Sequence, residues 1–129
     1  MSHHEIPNIF YIKAVPDKKD PQRAHCSFFT DFACKKQVTP PLSIPKTAGE
    51  VVFVQTPTAD NLLLVGSVAD RVDTTVIDPT FLPAAFNQVA VPMPEEHVIT
   101  QGVLLIFSSQ GLTTQLYSSA DPTVRNDGL

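Results

Sequence analysis

Proline content constrains this chain more than any other feature of its sequence. Twelve prolines occur among its 129 residues, about twice the usual share of roughly 5%. Each proline removes a backbone hydrogen-bond donor and disfavours helical geometry in the residue before it. Short strands and loops tolerate such residues, especially at sheet edges, whereas a helical bundle does not. The sequence therefore predicts a mainly β protein.

Segments rich in β-branched and aromatic residues alternate with turn-forming residues, as is typical of strands. The segments predicted as strands are residues 8–15, 50–55, 61–69, 72–77, 97–107 and 112–118. A hairpin is predicted at residues 108–111, where Gly111 can adopt a positive φ. Together these features predict a single domain over residues 1–129, folded as an antiparallel β-sandwich or a small β-barrel of six to eight strands. Residues 1–7 and 119–129 are predicted to be flexible tails.

One α-helix is predicted near residues 21–36. Asp20 and Pro21 form a helix-start signal, because Asp can cap free amides and Pro suits the first helical position. Two lysines at residues 35–36 would complement the negative end of the helix dipole. A strand is the competing interpretation, because apolar residues alternate over residues 26–34. The capping signals favour the helix.

Two other segments lack a strand signal. Residues 37–49 contain three prolines and one glycine and are predicted to be a loop. Residues 78–79 repeat the Asp-Pro pattern, which predicts a short helix or two successive turns over residues 79–88.

Charge is distributed unevenly along the chain. Residues 1–46 contain seven basic and four acidic residues, a net charge of +3, whereas residues 47–129 contain two and nine, a net charge of −7. No lysine follows Lys46, so the C-terminal part offers no basic groove and nucleic-acid binding is not expected. The basic N-terminal segment is either an ordinary solvated segment or a contact for an acidic surface of another copy.

The sequence gives no sign of a membrane span or a cofactor site. Its longest apolar runs, residues 62–65 and 103–107, are far shorter than the roughly 18 residues needed to cross a bilayer. The N-terminus lacks the basic and apolar regions of a secretory signal, so a cytoplasmic location is expected. Cys26 and Cys34 do not have a zinc-site spacing and are expected to be reduced thiols. No nucleotide-binding or metal-binding motif occurs, and we expect neither a metal nor a cofactor.

Histidines beside carboxylates are the best candidates for general acid–base catalysis, because the ordinary pKa of histidine lies near neutral pH. Glu95, Glu96 and His97 precede a predicted strand and could lie at the mouth of a sheet. His25, beside Cys26, is a second candidate base. The alternative is a structural role, because carboxylates before a strand are usually solvated.

Aromatic residues are the candidates for binding an apolar ligand in a β cavity. The chain has eight phenylalanines and no tryptophan. Phe28, Phe32 and Tyr117 are the candidate ligand-binding residues. The alternative is that the phenylalanines belong to the core.

The apolar runs at residues 62–65 and 103–107 carry the main functional hypothesis. A strand with one wet face should alternate apolar and polar residues, but these runs are apolar on both faces. Something must therefore cover the second face, and we predict a homo-oligomer that forms through this surface. The sequence favours a non-enzymatic interaction or structural module. The alternatives are a partner that is another protein, a binder of a small apolar ligand, and a cofactor-independent enzyme that uses His97 or His25 as general base.

Overall fold

Eleven strands form one mixed sheet within the described residues of the computed structural model, which are 7–20, 22–56, 62–71, 80–93, 95, 97–109, 115–119 and 122–128. The prediction of a mainly β protein is confirmed, although the strands outnumber the six to eight predicted. The strands are β1 (Ile9–Pro16), β2 (Arg23–Phe29), β3 (Gln37–Val38), β4 (Leu42–Pro45), β5 (Glu50–Gln55), β6 (Leu62–Arg71), β7 (Thr80–Pro83), β8 (Gln88–Pro92), β9 (Thr100–Ser109), β10 (Leu116–Ser119) and β11 (Thr123–Gly128).

The sheet combines antiparallel and parallel pairs. Its main path runs β4-β11-β9-β10-β2-β1-β5-β8, while β3 pairs with β2, and β6 pairs with both β9 and β7. The pairs β1–β5, β2–β10 and β4–β11 are parallel, so the antiparallel prediction holds only in part. Strand β8 also packs near β6 and β7. The sheet therefore curves back on itself around the core.

Alternation along the strands builds that core. On β1 the buried residues are Phe10, Ile12 and Ala14, which are separated by more exposed residues. The Phe53 ring lies 6.2 Å from the rings of both Phe10 and Phe28, measured between centroids. Burial of each such side chain stabilises the fold by about 1.5–3 kcal/mol.

The predicted helix near residues 21–36 is wrong: its first half is strand β2. Its six Cα partners on β1 run from Tyr11 opposite Phe29 to Pro16 opposite Ala24. Asp20 closes the turn before β2, where its carboxylate accepts a hydrogen bond from the Gln22 N–H and its carbonyl accepts one from the Arg23 N–H. The aspartate of the predicted helix start therefore closes a hairpin turn and does not begin a helix.

The second half of the predicted helix is a tight turn. The Asp31 carboxylate accepts hydrogen bonds from the backbone N–H groups of Lys35 and Lys36, and Cys34 adopts a φ of 57°. The lysines expected at a helix end therefore lie in the loop that leads to β3. Strand pairing of residues 23–29 prevails over the local capping signals.

Three other segments differ from the predictions. The predicted loop at residues 37–49 contains β3 and β4. Residues 80–88 form β7, a turn and the start of β8 rather than a helix. The strand predicted at residues 72–77 lies outside the described residues. The antiparallel pairing of β9 with β10 confirms the predicted hairpin partners.

The segment predicted as a C-terminal tail contributes β11 to the sheet. Val124 and Asn126 are buried there, between β4 and β9. The Asn126 side chain accepts a hydrogen bond from the Ile99 N–H at 2.6 Å and donates one to the His97 carbonyl at 2.9 Å. The buried Asn126 side chain and its backbone partners join this segment to the rest of the sheet.

Candidate functional site: an exposed apolar sheet face

The structure places the predicted catalytic residues far apart in the sheet. His25 is exposed on β2, opposite Val15 of β1. His97 is exposed before β9, and its carbonyl is held by Asn126 of β11. Glu96 lies outside the described residues, and Glu95 is exposed with its carboxylate near Gly49. Among the described side chains, no hydrogen bond or ion pair joins either histidine to a carboxylate.

The three predicted ligand-binding residues do not converge on one cavity. Phe28 is buried in the core, and Tyr117 is half-buried and packs against it. Phe32 is 65% exposed to solvent. Its ring contacts the Tyr11 ring edge-on, with 5.7 Å between the two ring centroids. Phe28 is thus a core residue, as the alternative interpretation holds for the phenylalanines, and Tyr117 lies at the edge of the core.

Two open clefts are present on the described surface. One has a volume of about 480 Å³ and is lined by His25 and by residues 15–19, including Lys18 and Lys19. The other, of about 450 Å³, has Phe10 and Leu42 in its lining and polar residues from β3 and the neighbouring loops. Neither cleft includes Phe28, Phe32 or Tyr117 in its lining.

The strongest functional feature is the outward side of strands β6, β7, β9 and β10. On β9, Val103, Leu105 and Phe107 are buried, so Leu104 and Ile106 between them point outward. Residues opposite each other in an antiparallel pair share one side of the sheet. The pairing register therefore shows which residues of the strands beside β9 point outward together with Leu104 and Ile106.

The same register identifies the members of the outer face. Leu104 is opposite Val68, Ile106 is opposite Gly66, and Ser108 is opposite both Leu63 and Leu116. Phe81 of β7 is opposite Val68. We call this surface the outer face and define it by its apolar side chains Leu63, Val68, Phe81, Leu104, Ile106 and Leu116.

Large side chains of the outer face are open to solvent. The exposed fractions are 36% for Leu63, 53% for Phe81, 42% for Leu104 and 61% for Leu116. Single exposed apolar residues are common on proteins, but a contiguous group is typical of an interaction site. The grouping, rather than any one residue, marks this surface as the candidate site.

Gly66 brings the Phe81 ring onto the outer face. A Cβ atom at Gly66 would lie 2.5 Å from Phe81 Cζ and 2.5 Å from the Leu82 carbonyl oxygen. No side chain fits there, so the ring lies directly above the glycine backbone. Leu82, the next residue, instead packs against the core.

The strands of the outer face carry almost no charge. Within β6, β7, β9 and β10 the only charged residues are Asp70 and Arg71, which balance each other. The outward side of β1 differs, because Lys13 lies 5.8 Å above the Phe29 ring and Phe32 packs on Tyr11. The chain partly covers that second apolar surface itself.

The sequence predicts part of this site, but not all of its members. Leu63 and Leu104 belong to the runs predicted to be apolar on both sides. Phe81 was missed because residues 79–88 were interpreted as a helix or turns. The Thr-Phe-Leu triplet at residues 80–82 is a weak strand signal that could have identified it.

Neither known protein families nor curated sequences assign a role to this surface. No family model matches the chain, and no curated protein matches its sequence. Within the described residues, no three His, Cys, Asp or Glu side chains are grouped as metal ligands. That same part of the chain contains no helix with the length and apolar character to span a membrane.

Proposed function

We propose that this protein is a non-enzymatic interaction or structural module that self-associates through the outer face. The observation that carries the proposal is the contiguous, charge-free group of exposed side chains, Leu63, Phe81, Leu104 and Leu116. Removing such surface from water is favourable by about 25 cal/mol per Å². A second copy would supply the matching surface.

Self-complementarity favours a second copy as the partner. In a twofold dimer the same patch is used by both subunits, so an apolar face meets an apolar face. The zero net charge of β6, β7, β9 and β10 means that these strands would not repel their counterparts. A stable interface of this kind buries roughly 800 Å² on each partner.

The proposed location is the cytoplasm. No disulfide joins Cys26 to Cys34. A protein kept in a reducing compartment has this pattern, because disulfides persist mainly in oxidising ones.

Replacement of an outer-face leucine by lysine tests the proposal. We expect the unmodified protein to sediment as an oligomer at micromolar concentration, and Leu104→Lys and Leu63→Lys to sediment as monomers. The charge of lysine would remain unpaired in an apolar interface, which is strongly unfavourable. Sedimentation velocity measures the change, and circular dichroism confirms that each variant is folded.

Ile9→Lys is the matched control. Ile9 on β1 is 40% exposed, close to the 42% of Leu104, but it lies away from the outer face. We expect this variant to retain the oligomer. A monomeric unmodified protein, or equal dissociation by Ile9→Lys and Leu104→Lys, would contradict the proposal.

The alternative function, binding of a small apolar ligand, has two candidate locations, the cleft beside Phe10 and Leu42 and the cleft beside Val15 and His25. Native mass spectrometry of the purified protein separates the two functions, because it measures both the subunit number and any retained mass. A monomer with a bound organic molecule would favour the alternative over self-association.

A further inference from the structure

The turn between β7 and β8 has an unusual residue at its tip. Ala85 and Gln88 exchange two backbone hydrogen bonds, of 2.9 Å and 3.1 Å. Between them, Phe86 and Asn87 have φ values of 54° and 63°. Two central residues with positive φ define a type I′ turn, in which Asn and Gly are strongly favoured.

Phe86 fits neither the backbone nor the solvent environment of this position. A bulky residue with positive φ is a genuine outlier, because its Cβ approaches the carbonyl oxygen. The Phe86 side chain is also 97% exposed, more than the other exposed apolar side chains of the described chain. Backbone strain and full exposure together at one aromatic residue point to a role outside the folding of this chain.

The turn is firmly attached beside β6. The Ala84 N–H donates to the Val65 carbonyl at 2.9 Å, and the Gln55 N–H donates to the Asn87 carbonyl at 2.8 Å. The buried Gln55 side chain in turn bonds to the backbone of β6, donating to the Leu62 carbonyl and accepting from the Leu64 N–H. These contacts hold the turn in a fixed position.

The same contacts place the turn at one end of β6, near Leu64 and Val65. Because β6 and β7 are antiparallel, residues 83, 84 and 85 lie successively closer to the end of β6 that contains Leu63. Leu63 is itself an exposed member of the outer face. Residues 80–92 contain no charged residue, so the segment that links Phe81 of the outer face to Phe86 is uncharged.

We propose that Phe86 is the anchor residue of self-association and packs against the outer face of a second copy. This inference rests on the proposed function and deepens it by naming the residue that contributes most to affinity. Rigid, exposed aromatic residues dominate many interfaces, because little conformational freedom is lost on binding. The outer face supplies an apolar surface that matches such a ring.

Phe86→Asn provides a test with opposite effects on folding and association. Asparagine is favoured at positive φ, so the variant removes the aromatic ring and relieves the backbone strain at once. By sedimentation equilibrium we expect the dissociation constant to increase about tenfold or more. Phe86→Tyr retains the ring, and we expect its dissociation constant to stay within about threefold of the original. Phe32→Asn, at the other strongly exposed phenylalanine, is the matched control and should leave the dissociation constant unchanged.

Stability is compared in the monomeric Leu104→Lys background, where association does not contribute. There we expect Phe86→Asn to raise the thermal midpoint or leave it unchanged. A lowered midpoint would assign Phe86 to the turn itself and overturn the inference.

The failures of the two proposals are distinguishable. If Leu104→Lys dissociates the oligomer and Phe86→Asn does not, the anchor role is overturned while self-association through the outer face stands. If the unmodified protein is monomeric, both are overturned.

Discussion

Asp31 holds the turn between β2 and β3 through its ionised carboxylate. The N–H of Lys36 lies 2.8 Å from the carboxylate and the N–H of Lys35 lies 3.0 Å from it. The bond from Lys36 is the largest of the effects that lower the pKa of Asp31 below its ordinary value of 3.8. The turn is thus linked to the charge of one exposed side chain.

This linkage has a defined sign and pH range. Because the folded-state pKa is lowered, the contribution of Asp31 to stability is fully present above the unfolded-state value near 4 and is lost as the pH falls through the folded-state value. We expect an NMR titration to give a midpoint below 3.8 for Asp31, with the amide signals of Lys35 and Lys36 following it.

Asp31→Asn is the control for that titration. It keeps a side-chain oxygen that can accept hydrogen bonds but removes the titrating group. The acid-dependent shifts of the two lysine amides should disappear in this variant. Their persistence with the same midpoint would show that another group titrates at the turn.

At the scale of elements, Gly66 determines how closely β7 approaches β6. A methyl group there would contact both the Phe81 ring and the Leu82 carbonyl at 2.5 Å. The ring can rotate away, but the carbonyl belongs to the backbone of the paired strand. Gly66→Ala therefore requires the two strands to separate.

We expect Gly66→Ala to lower the free energy of unfolding by about 1–3 kcal/mol, as overpacking does. Urea denaturation measures this change. The variant should also weaken association, because Phe81 would leave its position on the outer face. Unaltered stability would contradict the close approach of β7 to β6.

Much of the sheet could be predicted from the sequence because local pattern and pairing agree there. Strands β1, β5, β6 and β9 coincide with runs of β-branched and aromatic residues. Strand β2 could not be predicted with certainty, because Asp20 and Pro21 are favourable in a tight turn as well as at the start of a helix. The pairing of β2 with β1 decides between the turn and the helix. Local sequence signals carry no information about that pairing.

Strand β11 and half of the site depend on contacts between distant parts of the chain. Residues 126–128, Asn-Asp-Gly, are typical of a turn. The buried Asn126 side chain nevertheless forms hydrogen bonds with the backbone of Ile99 and His97, which lie 27 and 29 positions earlier in the chain. The apolar runs that contain Leu63 and Leu104 predict an apolar outward side, but only the burial pattern and the register show that these two residues lie on it. Phe81 could not be predicted, because its side of the sheet depends on the register with β6.

For the whole molecule, two ways of self-associating predict different responses to salt. The charge difference between residues 1–46, at +3, and residues 47–129, at −7, would favour head-to-tail contacts between copies. Such contacts weaken as salt shortens the screening length from about 30 Å at 0.01 M to about 3 Å at 1 M. The six side chains that define the outer face are uncharged, and apolar burial does not require charge.

We therefore expect the dissociation constant to change less than about threefold between 0.01 M and 1 M sodium chloride, in contrast to charge-driven association. Sedimentation equilibrium at several salt concentrations measures this dependence. The Ile9→Lys variant, which adds a charge away from the outer face, should show the same flat response. A steep loss of affinity with salt would instead assign self-association to the oppositely charged parts of the chain, because apolar burial alone cannot produce that dependence.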